Sequence, residues 1–278
     1  MTTKRTTLLG LLTLLLFIIA YFPVFRFLAG KWIDSLDYTY AFFAVPVIIY
    51  MVWQKWGSIK ESSDANLFGL AGIVLTTVLY LTCLNLKVFT LISLLMVMTV
   101  VSAFVYLAGL RVLRILAIPI LLMVLLIPIP NQIYVPLTLP LQLKVSQANE
   151  ILVRLFDIPI YREGNILTIP GKVFEIIEAC SGIRSLMALF SLSLMLGYFT
   201  LRRNRSVLLL FAFSVPVALM VNIIRVLTMI LAYHFFALDL TEGSAHTITS
   251  SIIFFLALAL LYMLQRILES WEIKKKQN

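Results

Sequence analysis

Apolar residues in this chain fall in long, nearly unbroken runs, with no regular alternation. The runs cover 7–28, 38–54, 67–84, 88–109, 112–128, 181–200, 207–235 and 247–265. A helix needs roughly 20 mostly apolar residues to cross about 30 Å of hydrocarbon, and most of these runs approach or exceed that length. The second and third are short. Helix is predicted for each, because a backbone in lipid must satisfy its own N–H and C=O groups within the segment. The polar positions between the runs are unevenly charged. With the N-terminus inside, the inner segments hold Lys4 and Arg5, then Lys55 and Lys60, Arg111 and Arg114, and Arg202, Arg203 and Arg205, and finally Arg266 with Lys274, Lys275 and Lys276. The short outer loops hold Arg26, Lys31 and Lys87, mixed with Asp34, Asp37, Asp239 and Glu242. Cytoplasmic loops carry the excess of Lys and Arg. The pattern therefore predicts an all-α polytopic membrane protein of about eight spans with both termini inside, a single integral membrane domain over 1–278.

One long outer segment, 129–180, interrupts this rhythm as an extracytoplasmic insert between the fifth and sixth spans. It opens with Pro128, Pro130, Pro136 and Pro140. Leu141, Val145, Ala148, Leu152 and Leu155 then recur at helical spacing, with Gln142, Ser146, Asn149 and Glu150 on the opposite side. This predicts an amphipathic helix lying on the outer interface. Short β-prone runs follow at 158–162, 166–169 and 173–177, separated by Glu163-Gly164-Asn165 and Pro170-Gly171, which are turn signals. A β-hairpin element is expected there, outside the hydrocarbon, because sheet edges cannot face lipid.

Composition agrees with lipid as the main solvent. Of 278 residues, 62% are hydrophobic and 13% charged, and the mean hydropathy is +1.03. A soluble domain carries about 45–50% apolar and about 25% charged residues. The net charge of +9 is accounted for by the inner loops. No basic run is interleaved with aromatics for base stacking, so nucleic acid is excluded as a partner and membrane lipids are expected instead. No Cys/His cluster has metal-ligand spacing, and no metal or cofactor is expected. The first apolar run lacks a small-residue cleavage site and reads as a retained helix, not a signal peptide.

Three residues could carry chemistry. Cys180 lies where the β-prone stretch ends and the sixth span begins, in Glu178-Ala179-Cys180-Ser181-Gly182-Ile183-Arg184. Ser181 can cap that helix, and the helix N-terminus together with Arg184 would lower the thiol pKa, while Glu178 opposes them. The plain alternative is a small apolar residue at a helix end. Arg225 lies inside the seventh run, with Asn222 three residues away on the same face. Eighteen residues from Val207 at about 1.5 Å each place it near the outer boundary, where it acts at a site or snorkels to headgroups. His246 opens the eighth run at the same level, as a base or as an interfacial cap. His234, among Tyr233, Phe235 and Phe236, reads as interfacial packing. A thiol, an imidazole and a guanidinium on one side of the membrane suit acyl transfer: nucleophile, general base and oxyanion or carbonyl partner.

At these residues the chain resembles the exosortases, with the archaeosortases as relatives. The likeness runs through Arg162-Glu163-Gly164-Asn165, Pro170-Gly171, Glu178 to Ser185, Asn222 to Arg225, and His246, with an earlier piece at Asp37 to Pro46. Tyr40 stands where many members have histidine, and Ser250 where glycine is common. The resemblance implies an extracytoplasmic cysteine peptidase/transpeptidase of the plasma (inner) membrane. Its substrates would be membrane-anchored proteins with a C-terminal sorting signal: a Pro-Glu-Pro-type motif, one transmembrane helix and a basic tail. It implies Cys180, Arg225 and His246 as the triad, a thioester on Cys180, and a link to exopolysaccharide systems. Two other readings of the residues stay open. One is a transporter or export component for polysaccharide or lipid, with Arg225 lining an anion path. The other is a scaffold in which Cys83 pairs with Cys180.

Overall fold

A computed structural model describes residues 2–35, 38–61, 66–176 and 183–277. Twelve helices and three strands occur among them. They divide into two compact units, Met1–Ile129 and Pro130–Asn278, the boundary falling where the outer insert begins.

The first unit holds α1 (Thr2–Ala20), α2 (Phe22–Asp34), α3 (Ala41–Gln54), α4 (Trp56–Glu61), α5 (Leu67–Leu86), α6 (Phe89–Ala108), α7 (Arg111–Ile115) and α8 (Ala117–Leu125). Two expected spans are broken. The first run bends by 64° between Leu8–Ala20 and Phe22–Asp34. The fifth is split at Leu116 into α7 and α8. In each case a proline follows the break, Pro23 and Pro119. A proline cannot donate to the carbonyl four residues back, and its ring clashes with it, so the ladder stops there. At the first break Val24 N–H turns to the Tyr21 carbonyl at 3.0 Å, and the Tyr80 hydroxyl donates to the Ala20 carbonyl at 2.6 Å. The exposed backbone is thus satisfied inside protein. α5 and α6 pack closely because Gly69 lies against them without a side chain: a Cβ there would come within 2.2 Å of the Tyr106 nitrogen.

The second unit holds α9 (Asn131–Arg154), β1 (Tyr161–Glu163), β2 (Ile166–Ile169), β3 (Lys172–Glu175), α10 (Ile183–Thr200), α11 (Asn204–Phe236) and α12 (Gly243–Gln277). The expected hairpin is a three-stranded antiparallel sheet in the order β1-β2-β3. Its register pairs Glu163 with Ile166 and Ile169 with Lys172, leaving two-residue turns. Gly164 at φ +61° and Gly171 at φ +87° occupy the left-handed positions these turns need. At the other end of the unit Glu272 of α12 caps α11, its carboxylate accepting from the Arg202 and Arg203 N–H groups at 2.9 and 3.2 Å.

α9 corrects the expected amphipathic face. The helix starts at Asn131 and runs through Pro136 and Pro140, and the face it buries is Thr138, Gln142, Val145, Ser146, Asn149 and Val153. Leu137, Leu139, Leu143 and Ile151 point outward, and Leu155 lies past the helix end. Of the expected apolar face Val145 is buried and Leu141, Ala148 and Leu152 are half-buried, while Gln142, Ser146 and Asn149, expected on the opposite side, are buried as well. In water each outward leucine or isoleucine would forfeit about 1.5–3 kcal/mol of burial. Polar groups turned inward instead find partners: Ser146 Oγ donates to the Gly164 carbonyl at 2.6 Å, and Glu150 accepts from Arg162 Nε at 2.6 Å and Arg154 at 2.7 Å.

Four described helices are long and apolar enough to cross a membrane: α5, α6, α11 and the Gly243–Lys274 part of α12. The bent pair α1 and α2 makes a fifth if it acts as one span, and Ala41–Gln54 and Leu186–Thr200 are shorter apolar helices. The protein is a polytopic helical membrane protein.

Candidate active site

The site is built around the upper part of α11. This helix has 33 residues, so it is about 50 Å long, well beyond a hydrocarbon core. The sheet covers its C-terminal portion. Leu167, Ile169, Phe174 and Ile176 from the sheet form one buried cluster with Val145 and Val153 of α9 and Val226, Met229 and Ile230 of α11. The cluster marks the level on α11 to which the sheet reaches. Arg225 lies immediately before Val226, at that level.

Arg225 is 4% exposed and Asn222, one turn earlier, 2% exposed. Arg225 is therefore not snorkelling to headgroups; its side chain points into the protein. Neither Nδ2 nor Oδ1 of Asn222 has a hydrogen-bond partner. Such a buried amide costs about 1–3 kcal/mol for each group left unsatisfied. Asn149 of α9, fully buried, gives its Nδ2 to the Val145 carbonyl at 2.9 Å and leaves Oδ1 without a partner. A buried cation one helical turn from an unsatisfied amide is an arrangement suited to a polar substrate group.

His246 is the fourth residue of α12, which follows α11 after a short loop, so it stands at the same end of the unit as Arg225 and the sheet. The helix opens at Gly243, φ +63°, four residues earlier than the apolar run suggested. The imidazole is half-buried, with Nδ1 3.3 Å from the Leu240 carbonyl. A carbonyl only accepts, so in the neutral ring this contact favours the tautomer with the proton on Nδ1, the form in which Nε2 has its lone pair free. Ser250, one turn on, has a buried hydroxyl with no partner. His234 is exposed and lies edge-on to Phe235 at 5.0 Å, as packing would have it.

The loop between α11 and α12 is tied to the sheet. Lys172 of β3 is hydrogen-bonded to Asp239 Oδ2 and, at 2.9 Å, to Thr241 Oγ1. Its ammonium sits 5.5 Å from the Phe174 ring centroid and 5.3 Å from that of Tyr233, and the Tyr233 hydroxyl donates to the Gly171 carbonyl at 3.0 Å. The Lys172 hydrogen bond, reinforced by the Thr241 hydroxyl and N–H, pulls the Asp239 carboxyl from its ordinary 3.8 down to about 2. A depressed carboxylate pKa stabilises the fold above the unfolded value and loses that contribution as the pH falls through the folded one. The tether is therefore complete above about pH 4 and lost toward pH 2. Pepsin, which works across this window, is expected to cut 237–242 at pH 2 far faster than at pH 4. Asp239→Asn is expected to remove most of that difference.

Of the residues that the sequence singled out, Arg225, Asn222 and His246 lie at one end of one unit. Glu178, Cys180 and Ser181 fall outside the described residues. Arg184 is the second residue of α10. The ends of the segment that carries Cys180 are anchored: Ile176 is 1% exposed in the cluster, and α10, from Ile183, packs on α11. Asn165 grips Ile176 twice, its carbonyl accepting from the Ile176 N–H at 2.9 Å and its Nδ2 donating to the Ile176 carbonyl at 3.2 Å. Sequence reasoning gave no part in the site to Asn165, Lys172, Asp239 or Asn149. A turn asparagine and the Asp239-Leu240-Thr241 spacing were the available signals. Of the earlier matching piece, the Tyr40 hydroxyl donates to the Leu125 carbonyl at 2.7 Å, while Asp37 lies outside the described residues. Cys83 is a free thiol buried in α5, which speaks against the open reading that pairs it with Cys180.

The family model for the transmembrane exosortase matches residues 32–263. No curated protein matches the chain significantly, and no solved structure does.

Proposed function

Because the chain belongs to the transmembrane exosortase family, we propose that it is a membrane cysteine transpeptidase that cuts C-terminal sorting signals through a thioester on Cys180. The observation that supports this best is His246. Its Nδ1 is committed to the Leu240 carbonyl, which leaves Nε2 as a base at the same end of the unit as the buried Arg225. Cys180 is four residues from Ile176 and three from Ile183, a chain reach of at most about 14 Å from the first. Both anchors belong to the packing around α11.

In the proposed reaction, the Cys180 sulfur attacks the scissile carbonyl as Nε2 of His246 takes the thiol proton. A C–S bond forms, the C–N bond breaks, and His246 returns the proton to the leaving amine. An incoming amine or water then attacks the thioester, gives its proton to His246, and the thiol is restored. Arg225 donates to the developing oxyanion, and Asn222 donates to and accepts from the substrate backbone. The loop charges support placing this end outside the cell, with about eight spans in an inner (plasma) membrane. On this reading the substrates carry a Pro-Glu-Pro-type motif, a helix and a basic tail.

The test is reconstitution in liposomes with such a tripartite substrate. Cleavage and a hydroxylamine-sensitive adduct on Cys180 are expected; an intact substrate at stoichiometric enzyme would end the proposal. Arg225→Ala is expected to lower the rate about 10²–10³-fold. Arg225→Lys should recover only part of it, since an ammonium supplies charge without the planar fork.

A further inference from the structure

Beside the reacting groups stands a charged clip with no part in the chemistry just described. We propose that Lys172, Asp239 and Thr241 form a positioning device that sets the tautomer of His246 by fixing one peptide plane. The inference rests on the reading of His246 as the base.

The Leu240 carbonyl and the Thr241 N–H belong to the same peptide unit. In a trans peptide these two groups point in opposite directions across one rigid plane. The Thr241 N–H donates to Asp239 Oδ1 at 3.0 Å, the side-chain-to-backbone bond of an Asx turn. The Thr241 hydroxyl donates to the same oxygen at 2.6 Å. Holding the N–H on one side aims the Leu240 carbonyl to the other, where it meets His246 Nδ1 at 3.3 Å. The Asp239 carboxylate is itself held, because its second oxygen is bonded to Lys172. Lys172 in turn is braced by Thr241 Oγ1 and by the faces of Phe174 and Tyr233. It stands on the sheet face that carries Phe174 and Ile176, beside the Gly171 turn that Tyr233 grips.

The sheet therefore reaches His246 through a chain of direct contacts: β3 to Asp239, Asp239 to the peptide plane, and the plane to the imidazole. If the clip were a staple alone, its loss would loosen the loop and leave the imidazole's proton where it is. If it positions the ring, its loss lets Nδ1 lose its acceptor, and the proton moves to Nε2, the form favoured in free histidine. That form cannot accept the thiol proton at Nε2.

The chain has two histidines, so His234→Gln leaves His246 as its one imidazole. The experiment is 15N NMR of histidine-labelled protein in this background, in detergent near about pH 8, where an ordinary imidazole is neutral. The expected signal is the Nδ1–H form. Asp239→Ala is expected to shift it toward Nε2–H and to lower kcat about 10-fold at constant KM. Asp239→Asn keeps an oxygen for the Thr241 N–H but turns an amide donor toward Lys172, and is expected to restore both in part, to the level of Lys172→Met. Should Asp239→Ala not accumulate in the membrane, Lys172→Met, which releases the second oxygen, is expected to give a smaller shift in the same direction. An Nδ1–H signal that persists in folded Asp239→Ala, or in folded Lys172→Met if that is the variant obtained, overturns the clip. A shifted tautomer with unchanged cleavage instead overturns His246 as the base.

Discussion

Cys180→Ala leaves the protein inserted in the membrane and its tripartite substrate uncut, with processing down by at least about 10⁴-fold. The size follows from the role. An attacking nucleophile has no substitute: without the sulfur no thioester forms, and water would have to attack an unactivated amide with only the hydrogen-bonding groups left to help. Removing one sulfur atom from a small side chain is expected to leave folding nearly unchanged. Cys180→Ser keeps the shape and replaces the thiol, ordinarily near pKa 8.5, with a far weaker acid. It is therefore expected to fail almost as completely. The readout is the ratio of full-length to cut reporter in membranes, with insertion checked by protease accessibility of the loops. Normal processing by Cys180→Ala would refute the mechanism at its first step.

His246→Ala is expected to cost about 10²–10⁴-fold in the same assay. The imidazole is asked to do two things, to take the thiol proton and to return it to the leaving amine. Raising the pH ionises the thiol without help, so the defect in forming thiolate should narrow as the solution approaches the thiol's own pKa. The defect in protonating the amine should not. Alkylation of Cys180 by iodoacetamide separates the two. In a Cys83→Ala background, His246→Ala is expected to move the alkylation profile to higher pH, while cleavage stays impaired at every pH. His234→Gln serves as the control, because that ring is exposed and packed on Phe235; it should change neither profile. Equal effects from the two histidines would remove the basis for choosing His246.

Much of this arrangement was legible in the order of residues. The runs at 67–84 and 88–109 became α5, Leu67–Leu86, and α6, Phe89–Ala108. The turn signals at Gly164 and Pro170-Gly171 fell between the strands they were expected to separate. Arg225 was placed in the later part of its helix, and there it directly precedes Val226, which packs with the sheet. Other features were not legible. Nothing local marks which of Pro23, Pro46, Pro119 and Pro216 will break a helix: the first and third follow breaks, while α3 and α11 run through the other two. Whether the freed carbonyl finds a donor is decided by a residue far along the chain, as Tyr80 is for Ala20.

By itself, the order of apolar and charged residues determined that this chain lives in a membrane as a bundle of helices. It also offered the thiol, imidazole and guanidinium on which the acyl-transfer proposal rests, because those properties belong to single segments and to side-chain chemistry. The tertiary structure decided the inward polar face of α9, the burial of Arg225 beside Asn222, and the carbonyl that His246 Nδ1 faces. Each of those depends on a partner from a distant segment: Gly164 for Ser146, the sheet for α11, and Lys172 with Asp239 for the Leu240 carbonyl. A hydrogen bond has direction as well as strength, and direction is set only when both ends are in place.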